Sequence, residues 1–558
     1  MDKNRSFGAL CAVDALNRRL PGEEQTGKTR ENRAVGIFYF LTHGARAKNS
    51  GPFDISRIMK ETPEAIHDFN HPAWGDGSLY WGEPLFGYYH LKDKWVLRRH
   101  AKLLTMAGVD FIIFDTTNRV TFLQQVLPIL EVFDEYRMEG WNVPKIAYYT
   151  NSQSGETVEE IYQDIYKPGL YRDLWFYWEG KPFIVGLPEE CSEEARNFFT
   201  FRLAQWPTEA KKQGGCPWID FERPQRAWQS EEGVNEIVPV AVAQHPNLSF
   251  GDGALYGDPA PRGRAFRGYK NDKTPEALAY GYNVAEQWER AIELDPKMVF
   301  FTGWNEWTAG KIQGDGERPV LMVDQADAEY SRDTEPMRGG FFDNYYMQMC
   351  DYIRRYKGSP EALPKQKKQA IKVRGGFEQF RNALVYDVMP FGTIARDAVG
   401  VGGIQYKNDT GRNEFAEIRV MHDENTIAFY AKTKEEIVFN MFTKWMTLFL
   451  SVEGRPYAPD WHGYHYLIND IVLDKSATFL QRCLGGFRWG ENTRISYEFS
   501  GNEIAIYIPR KYLGIAEGPI DLAFKWADHT GYNENIEDFY EYGDSAPYGR
   551  FNFRYRGE

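Results

Sequence analysis

The sequence predicts an α/β protein, a (β/α)8 TIM barrel followed by an antiparallel β-sandwich domain. Eight short apolar runs rich in strand-forming residues alternate with helical segments over the first two-thirds of the chain. A stretch rich in proline and lysine follows, and beyond it come short strands at close spacing, several with alternating polarity. Alternating strands and helices are typical of a parallel barrel, and close-spaced alternating strands are typical of a sandwich.

The eight barrel strands are predicted at residues 35–41, 111–114, 145–149, 182–186, 198–202, 217–220, 237–243 and 298–302. Their nearly continuous apolar character fits parallel strands that are buried on both faces. Helices are predicted at 95–106, 158–165, 280–294 and 345–356. Pro239 fits the seventh strand poorly, because proline cannot donate a hydrogen bond to a central ladder.

The predicted domain organisation has four parts. Residues 1–33 are an irregular lead-in, 34–357 the barrel, 358–372 a linker and 373–558 the sandwich. The sandwich strands are predicted at 416–422, 426–432, 446–452, 464–469, 495–499, 503–508 and 520–524.

Composition excludes several classes of partner and cofactor. The formal net charge of −13 disfavours a nucleic acid partner, since polyphosphates require a basic surface. The five cysteines contain no C-x-x-C pair, and the histidines lack metal-ligand spacing, so neither a disulfide framework nor a metal site is predicted. No cofactor is expected. No apolar run is long enough for a membrane span or a signal peptide, and the oligomeric state is left open.

The most informative stretch follows the eighth predicted strand and reads Trp304, Asn305, Glu306, Trp307. Indole faces pack on pyranose rings, and an asparagine both donates to and accepts from hydroxyls. A carboxylate between them suits sugar chemistry. The alternative is that both tryptophans are core residues and Glu306 is a surface charge.

Polar residues at the carboxyl ends of barrel strands converge on one face. This arrangement predicts a ring of site residues composed of Tyr39, His43, Asp115, Asn118, Tyr148, Asn151, Asp220, Glu222, Gln244, His245, Asn305 and Glu306. A long loop after the first strand contains Trp81 and Glu83, and its glycine, proline and aromatic content indicates an ordered lid. Trp81, Trp304 and Trp307 are predicted to contact the substrate.

Glycoside cleavage needs two carboxyl groups, one to protonate the leaving oxygen and one to act on water or on the anomeric carbon. Glu306 is the first candidate and Asp115 the second, with Glu222, Asp220 and Glu83 in reserve. The alternative for Asp115 is a helix cap or an arginine partner. A basic loop at residues 263–268 either binds an acidic sugar or is simply solvated.

Four segments together resemble glycoside hydrolase barrels of families 71 and 99: V-G-I-F-Y-F from Val35, W-G-E-P from Trp81, F-D at Phe114, and G-W-N-E-W from Gly303. The resemblance covers roughly residues 34–350. It implies that Glu306 is an active-site glutamate and that the protein is periplasmic or extracellular, with a cytoplasmic location left open. The chain departs from family 99 at Ala309, where that family has a second acid.

The second domain is similar to family 9 carbohydrate-binding modules, through residues 461–469 and 524–528. Trp461 and Trp526 are then either stacking platforms or core residues. The expected function is a glycoside hydrolase that cleaves a plant or microbial polysaccharide or glycan. The alternatives are a non-catalytic glycan-binding protein on a barrel scaffold and a polysaccharide lyase.

Overall fold

A computed structural model describes residues 7–44, 51–76, 79–244, 254–257, 261–272, 274, 276–323, 325–456, 463–485, 488–531 and 535–558. The chain is a mixed α/β protein with a nearly closed barrel sheet. The predicted α/β class is therefore confirmed. The barrel strands are Ala34–Tyr39, Phe111–Thr116, Lys145–Thr150, Lys181–Gly186, Thr200–Gln205, Gly215–Pro217, Asn235–Ala241 and Met298–Thr302.

These eight strands are parallel and neighbour one another in the order 6-5-4-3-2-1-8-7. Two short antiparallel strands extend the sheet, Tyr177–Trp178 on the fourth strand and Trp228–Gln229 on the seventh. Within the described ranges, no ladder joins the sixth strand to the seventh. The barrel sheet is therefore open at that seam.

Two predicted strands are displaced. The fifth begins at Thr200 because Phe198 is the last residue of the helix Glu193–Phe198. The sixth ends at Pro217, so the prediction of 217–220 was wrong for Trp218 to Asp220. That run is apolar enough to resemble a strand, but it pairs with no neighbouring strand among the described residues.

Side chains alternate between the barrel interior and the surrounding helices. Phe38, Ile113, Tyr149 and Phe300 pack together in the interior cluster, which Trp218 joins beyond the strand ends. Tyr39, Ile112, Phe114, Tyr148 and Phe301 belong instead to the cluster that includes the helices. Both faces are buried, which explains the unbroken apolar runs.

Pro239 does lie in a central strand, paired in register with Phe300 of the eighth strand. Its position is tolerated because alternate residues of a parallel strand direct their backbone groups to opposite sides. Ala241, two residues further on, donates its N–H to Oε1 of Gln287 at 3.1 Å rather than to the eighth strand. The backbone nitrogen of Pro239 points to the same side as that of Ala241, away from the eighth strand. Its missing N–H therefore breaks no bond to the eighth strand.

The α-helices are Glu23–Thr26, Ile55–Glu61, Lys94–Ala107, Leu123–Met138, Ser154–Ile161, Glu193–Phe198, Ala277–Tyr280, Tyr282–Leu294, Asn344–Lys357 and Asp538–Glu541. The helix Lys94–Ala107 begins at Asp93, whose side chain accepts the N–H of Trp95, and ends at Gly108 in the left-handed region. Ser154–Ile161 continues into a π-helical turn at Tyr162–Tyr166, which corresponds to the predicted helix 158–165.

The predicted lid loop contains regular structure. A four-stranded sheet joins Val320–Val323, Thr308–Gln313, Leu79–Trp81 and Phe53–Asp54 in that order. Trp81 is opposite Thr308 in this sheet, and Gly82 donates its N–H to the carbonyl of Trp307 at 3.0 Å. The lid is therefore attached directly to the segment that follows the eighth barrel strand.

The C-terminal region forms one continuous twelve-stranded sheet, and a β-sandwich stays a prediction. Its strands are Leu10–Cys11, Leu384–Asp387, Phe415–His422, Thr426–Thr433, Thr447–Val452, Tyr466–Asp474, Ala477–Cys483, Trp489–Ser500, Glu503–Pro509, Ile520–Asp528, Asp544–Ala546 and Asn552–Gly557. A separate hairpin pairs Arg396–Val399 with Gln405–Asn408. The predicted irregular lead-in contains a strand, because Leu10–Cys11 pairs with Phe553 and Asn552.

The C-terminal sheet is joined to the barrel region by a buried ion pair. Arg550 donates two hydrogen bonds to Asp343, of 2.7 and 2.8 Å, and Tyr540 donates a third at 2.7 Å. The predicted boundaries of 34–357, 358–372 and 373–558 stay a prediction. Among the described residues, no helix has the length and apolar character needed to cross a bilayer.

Candidate active site

The Trp304–Trp307 segment is attached to the end of the first barrel strand. Trp304 donates its N–H to the carbonyl of Phe38 at 2.9 Å. The amide of Asn305 accepts from the N–H of Phe40 at 2.9 Å and donates to its carbonyl at 3.2 Å. Asn305 thus substitutes for a strand neighbour where the ladder ends, and it fixes the backbone that carries Glu306.

Glu306 forms a bidentate ion pair with Arg332. Both nitrogen–oxygen distances are 2.6 Å, Arg332 is fully buried and Glu306 is 4% exposed. The guanidinium lies 5.0 Å from the centre of the Trp218 ring, at the top of the interior cluster. A paired guanidinium stabilises the ionised carboxylate, so Glu306 is held as an anion at the carboxyl end of the barrel.

The segment that carries Arg332 runs alongside the Trp304–Trp307 segment. Gly303 donates to the carbonyl of Arg332 at 2.7 Å, and Glu335 donates its N–H to the carbonyl of Trp304 at 2.9 Å. The hydroxyl of Thr334 donates to the carbonyl of Gly303 at 2.8 Å. These backbone contacts fix the position of Arg332 relative to Glu306.

The segment that carries Arg332 also holds a buried carboxylate, Glu335. It accepts hydrogen bonds from Tyr89 at 2.8 Å, from Nε1 of Trp307 at 2.7 Å and from Nε2 of His100 at 2.9 Å. Nδ1 of His100 lies 2.8 Å from the hydroxyl of Tyr39. The network connects the lid, the Trp304–Trp307 segment and the helix Lys94–Ala107.

Asp333 is the other carboxyl group of this segment and is fully buried. Neither of its oxygens accepts a hydrogen bond of normal length and angle from the described residues, although the backbone N–H of Glu306 is near enough to favour the ionised form slightly. Burial raises the pKa of Asp333 to about 8, Arg264 opposes the shift, and Glu335 adds to it. Its surroundings therefore favour the protonated form of Asp333.

The aromatic side chains that were predicted to contact the substrate lie in the cluster between the barrel strands and the helices. Trp304 packs edge-on against His100 and Tyr346, with centroids at 5.5 and 6.1 Å. Tyr148 packs on Phe114 at 5.2 Å. Trp304, Trp307, Trp81, Tyr39 and Tyr148 are all buried.

His43 is buried beneath the lid. Its ring stacks on Tyr89 at 5.0 Å and meets Trp81 edge-on at 4.9 Å, while Nε2 lies 2.5 Å from the carbonyl of Asn305. Burial lowers the pKa of His43 to about 3, so the ring is neutral at ordinary pH.

Asp115 shares the interior face of the second strand with Ile113, by alternation. It is half-buried, and Oδ1 accepts from the N–H of Thr117 at 3.0 Å and from its hydroxyl at 2.7 Å. Asn118 is exposed and Asn151 half-buried.

The three further candidates for the second catalytic carboxylate differ in burial and in their partners. Asp220 is buried and paired with Arg226 at 2.6 Å, and Glu222 is exposed. Glu83 lies 4.0 Å from Arg338, and burial raises its pKa, which Arg338 partly offsets.

Gln244 is buried at the end of the seventh strand. Its amide donates to the carbonyl of Asp220 at 2.7 Å and accepts from Nε of Arg223 at 3.0 Å. His245 and Trp461 lie outside the described residues. Trp526 is fully buried in the strand Ile520–Asp528, 6.2 Å from the Phe415 ring. Ala309 is buried in the lid sheet opposite Tyr80.

Four residues of this site were not selected from the sequence: His100, Arg332, Asp333 and Glu335. The run S-R-D-T-E-P at residues 331–336 has the polarity of a surface loop, yet every member is buried. The alternating charges of this run were the one feature of the sequence that could have drawn attention to it. Its partners lie 26 to 246 residues away, which local patterns do not encode.

The fold and the site define an α/β protein whose nearly closed barrel sheet carries a buried carboxylate–guanidinium pair at its carboxyl end. Among solved structures, the chain is similar to a family 99 (GH99) endo-alpha-mannosidase from Bacteroides thetaiotaomicron. In its complex with bis-tris propane the identity is 15% and the TM-score 0.33, over 59% of this chain and 98% of that chain. A second structure of that enzyme matches at 16% identity with the same TM-score and coverage.

A glycoside hydrolase-like protein matches at 12% identity and a TM-score of 0.27, over 58% of this chain and 95% of that chain. No protein-family model matches the chain, and no curated protein matches it.

Proposed function

We propose that the chain is a glycoside hydrolase that cleaves a polysaccharide or other glycan, with Glu306 as its ionised catalytic carboxylate. The observation that supports this most directly is the Glu306–Arg332 pair above Trp218, beyond the end of the eighth strand. Barrel enzymes assemble their sites at this end of the sheet. An ionised carboxylate there either activates a water molecule or stabilises positive charge at the anomeric carbon.

Asp115 is the proposed second carboxyl group. The second, first and eighth strands are consecutive neighbours, so the strands that lead to Asp115 and Glu306 are separated by one strand. Two interstrand spacings amount to about 10 Å. That is closer to the roughly 6.5–9.5 Å carboxyl separation of inverting enzymes than to the 5–5.5 Å of retaining ones. On this spacing of the two carboxyl groups we expect inversion.

The test is release of reducing ends from a panel of plant and microbial polysaccharides. Glu306→Gln and Asp115→Asn should each lower turnover by about 10²- to 10⁴-fold. Glu232→Gln changes an exposed glutamate that precedes the seventh strand and is the matched control, which should keep its activity. Circular dichroism of each variant verifies folding, since Glu306→Gln leaves Arg332 without its counter-charge. Full turnover by folded Glu306→Gln would contradict the proposal.

A second candidate is a glycan-binding protein without catalysis. It is favoured by Ala309, which occupies the position of a second acid, and by the near-complete burial of Glu306. In that case native affinity gels would show retardation on glycans that yield no reducing ends. An unsaturated product absorbing in the ultraviolet would indicate the lyase reaction instead. A carbohydrate-binding role for the C-terminal sheet and a periplasmic or extracellular location belong to the same proposal.

A further inference from the structure

Three arginines lie beyond the carboxyl ends of the sixth and seventh barrel strands. Arg223 and Arg226 follow the sixth strand, Gly215–Pro217. Arg262 is opposite Gln244, three residues beyond the end of the seventh strand, Asn235–Ala241. They are on the side of the barrel where Glu306 lies.

The backbone at Arg262 is held in place by hydrogen bonds. Its N–H donates to the carbonyl of Gln244 at 2.6 Å, and Gln244 returns the bond at 2.7 Å. On the following residue, the N–H of Gly263 donates to the side chain of Asn271, which donates in turn to the carbonyl of Pro261 at 2.7 Å. These bonds fix the backbone of Arg262, so the arginine side chain is the main part that has to be ordered when a ligand binds.

Two of the three arginines have a carboxylate partner, and the third does not among the described residues. Arg226 is paired with Asp220 at 2.6 Å, and Arg223 with Glu286 at 2.8 Å. Arg262 donates to the carbonyl of Phe221 at 2.9 Å, but no carboxylate among the described residues lies within 4.0 Å of it. Glu286, Glu222 and Asp220 act on Arg262 only from a greater distance.

Arg262 is nevertheless half-buried, and a second cation is close. Burial lowers the pKa of Arg262. Burial also lowers the pKa of Arg223 to about 10, Glu286 opposes the shift, and Arg262 adds to it. Both guanidiniums lie beside the ring of Phe266, at 5.8 and 5.6 Å from its centre. Two partly desolvated cations on one aromatic ring repel each other, and a bound anion would relieve this repulsion.

The arginine pair is connected to Glu306 through two further arginines. Arg264, two residues after Arg262, is buried and donates to the carbonyl of Asp333 at 2.8 Å. Arg332, next to Asp333 in the chain, holds Glu306. A ligand at Arg262 would therefore lie at the same, carboxyl end of the barrel sheet as Glu306.

We infer that Arg262, supported by Arg223 and the Phe266 ring, forms a subsite for an anionic sugar, which carries either a carboxylate or a sulfate group. The planar fork of arginine binds such oxyanions through two parallel hydrogen bonds. The inference rests on the proposed function, because it assigns that site an acidic glycan as its substrate. The protein's formal charge of −13 repels polyanions in general, so their binding requires a local site of this kind.

Affinity electrophoresis of the full chain tests the subsite without requiring turnover. The probes are polygalacturonate, its fully methyl-esterified neutral form, dextran sulfate and neutral dextran. We expect retardation by polygalacturonate or dextran sulfate but not by the two neutral polymers, and the acid that binds identifies the group. Arg262→Gln should weaken the binding at least ten-fold, and Arg262→Lys should weaken it less. Arg267→Gln is the matched control, since Arg267 is exposed and paired with Asp272.

Equal retardation by charged and neutral polymers, no retardation by any of them, or unchanged binding by Arg262→Gln would overturn the inference. The comparison of free and esterified polymer uses wild-type protein alone, so it holds even if Arg262→Gln does not fold. Failure of the proposed function has a different signature. In that case acidic polymer binds through Arg262 and is never cut. Cleavage of neutral glycans that is indifferent to Arg262→Gln would instead refute the subsite alone.

Discussion

Replacing Asp333 with asparagine should make the stability of the barrel region less sensitive to pH. The ordinary pKa of an aspartate is 3.8, and burial raises that of Asp333 to about 8 in the folded protein. Between these values the folded protein keeps a proton that the unfolded chain has released. Stability therefore falls as pH rises through this window, and asparagine, which resembles the protonated acid in shape, removes that contribution.

The magnitude follows from the shift. Each pH unit within the window changes the free energy of unfolding by about 1.4 kcal/mol, so wild-type protein should lose about 4 kcal/mol from this site between pH 5 and pH 8. For a cooperative region of about 300 residues, this corresponds to roughly 6 °C in melting temperature. The difference between variant and wild type cancels the titration of all other groups.

Melting temperatures of wild type, Asp333→Asn and the exposed control Glu222→Gln, recorded at half-unit steps from pH 5 to pH 8, measure this effect. The two curves for wild type and Asp333→Asn should diverge steadily as pH rises, with the variant the more stable at pH 8. The control should follow wild type. Parallel curves for Asp333→Asn and wild type would show that Asp333 is ionised in the folded protein, and the reasoning would fail.

Three further outcomes are expected. Burial lowers the pKa of His43 to about 3, so wild type should lose stability as the pH falls from 6.5 to 4. Urea unfolding of His43→Asn should show a smaller loss over this range. Equal losses in the two proteins would refute this. Arg550→Gln leaves the buried Asp343 carboxylate without its counter-charge and should cost about 3–5 kcal/mol in thermal unfolding, whereas a cost below about 1 kcal/mol would exclude a stabilising ion pair at this contact. Trp307→Phe removes a donor to Glu335 and should cost about 1–3 kcal/mol more than Trp304→Phe, whose indole nitrogen has no hydrogen-bond partner among the described residues; equal costs in chemical denaturation would contradict this.

The sequence predicted most of the barrel strands, but it did not predict which side chains of a strand face the barrel interior. Tyr39 and Tyr148 were expected at the barrel mouth, but the neighbouring Phe38 and Tyr149 are the residues that face the interior. Both faces of a parallel barrel strand are buried, so polarity does not mark the inner face. A shift of one residue exchanges the two sets, and only strand pairing decides between them.

The buried charges show the same division. Glu306 was recognised because its neighbours are distinctive, whereas Arg332, Asp333 and Glu335 have the composition of a solvated loop. What buries them is pairing with distant residues: Arg332 with Glu306, and Glu335 with His100. Charges are tolerated inside a protein only where such partners surround them, and the partners meet only in the folded chain.

The sequence by itself determined the mixed α/β class, the positions of most barrel strands and the aromatic-flanked carboxylate after the eighth strand, because these depend on local hydrophobic patterns. The tertiary structure alone decided that Glu306 is paired with Arg332, that Asp333 is buried in surroundings that raise its pKa and that Arg262 has no carboxylate within 4.0 Å among the described residues. These features depend on electrostatic contacts between segments far apart in the chain, and no local pattern specifies them.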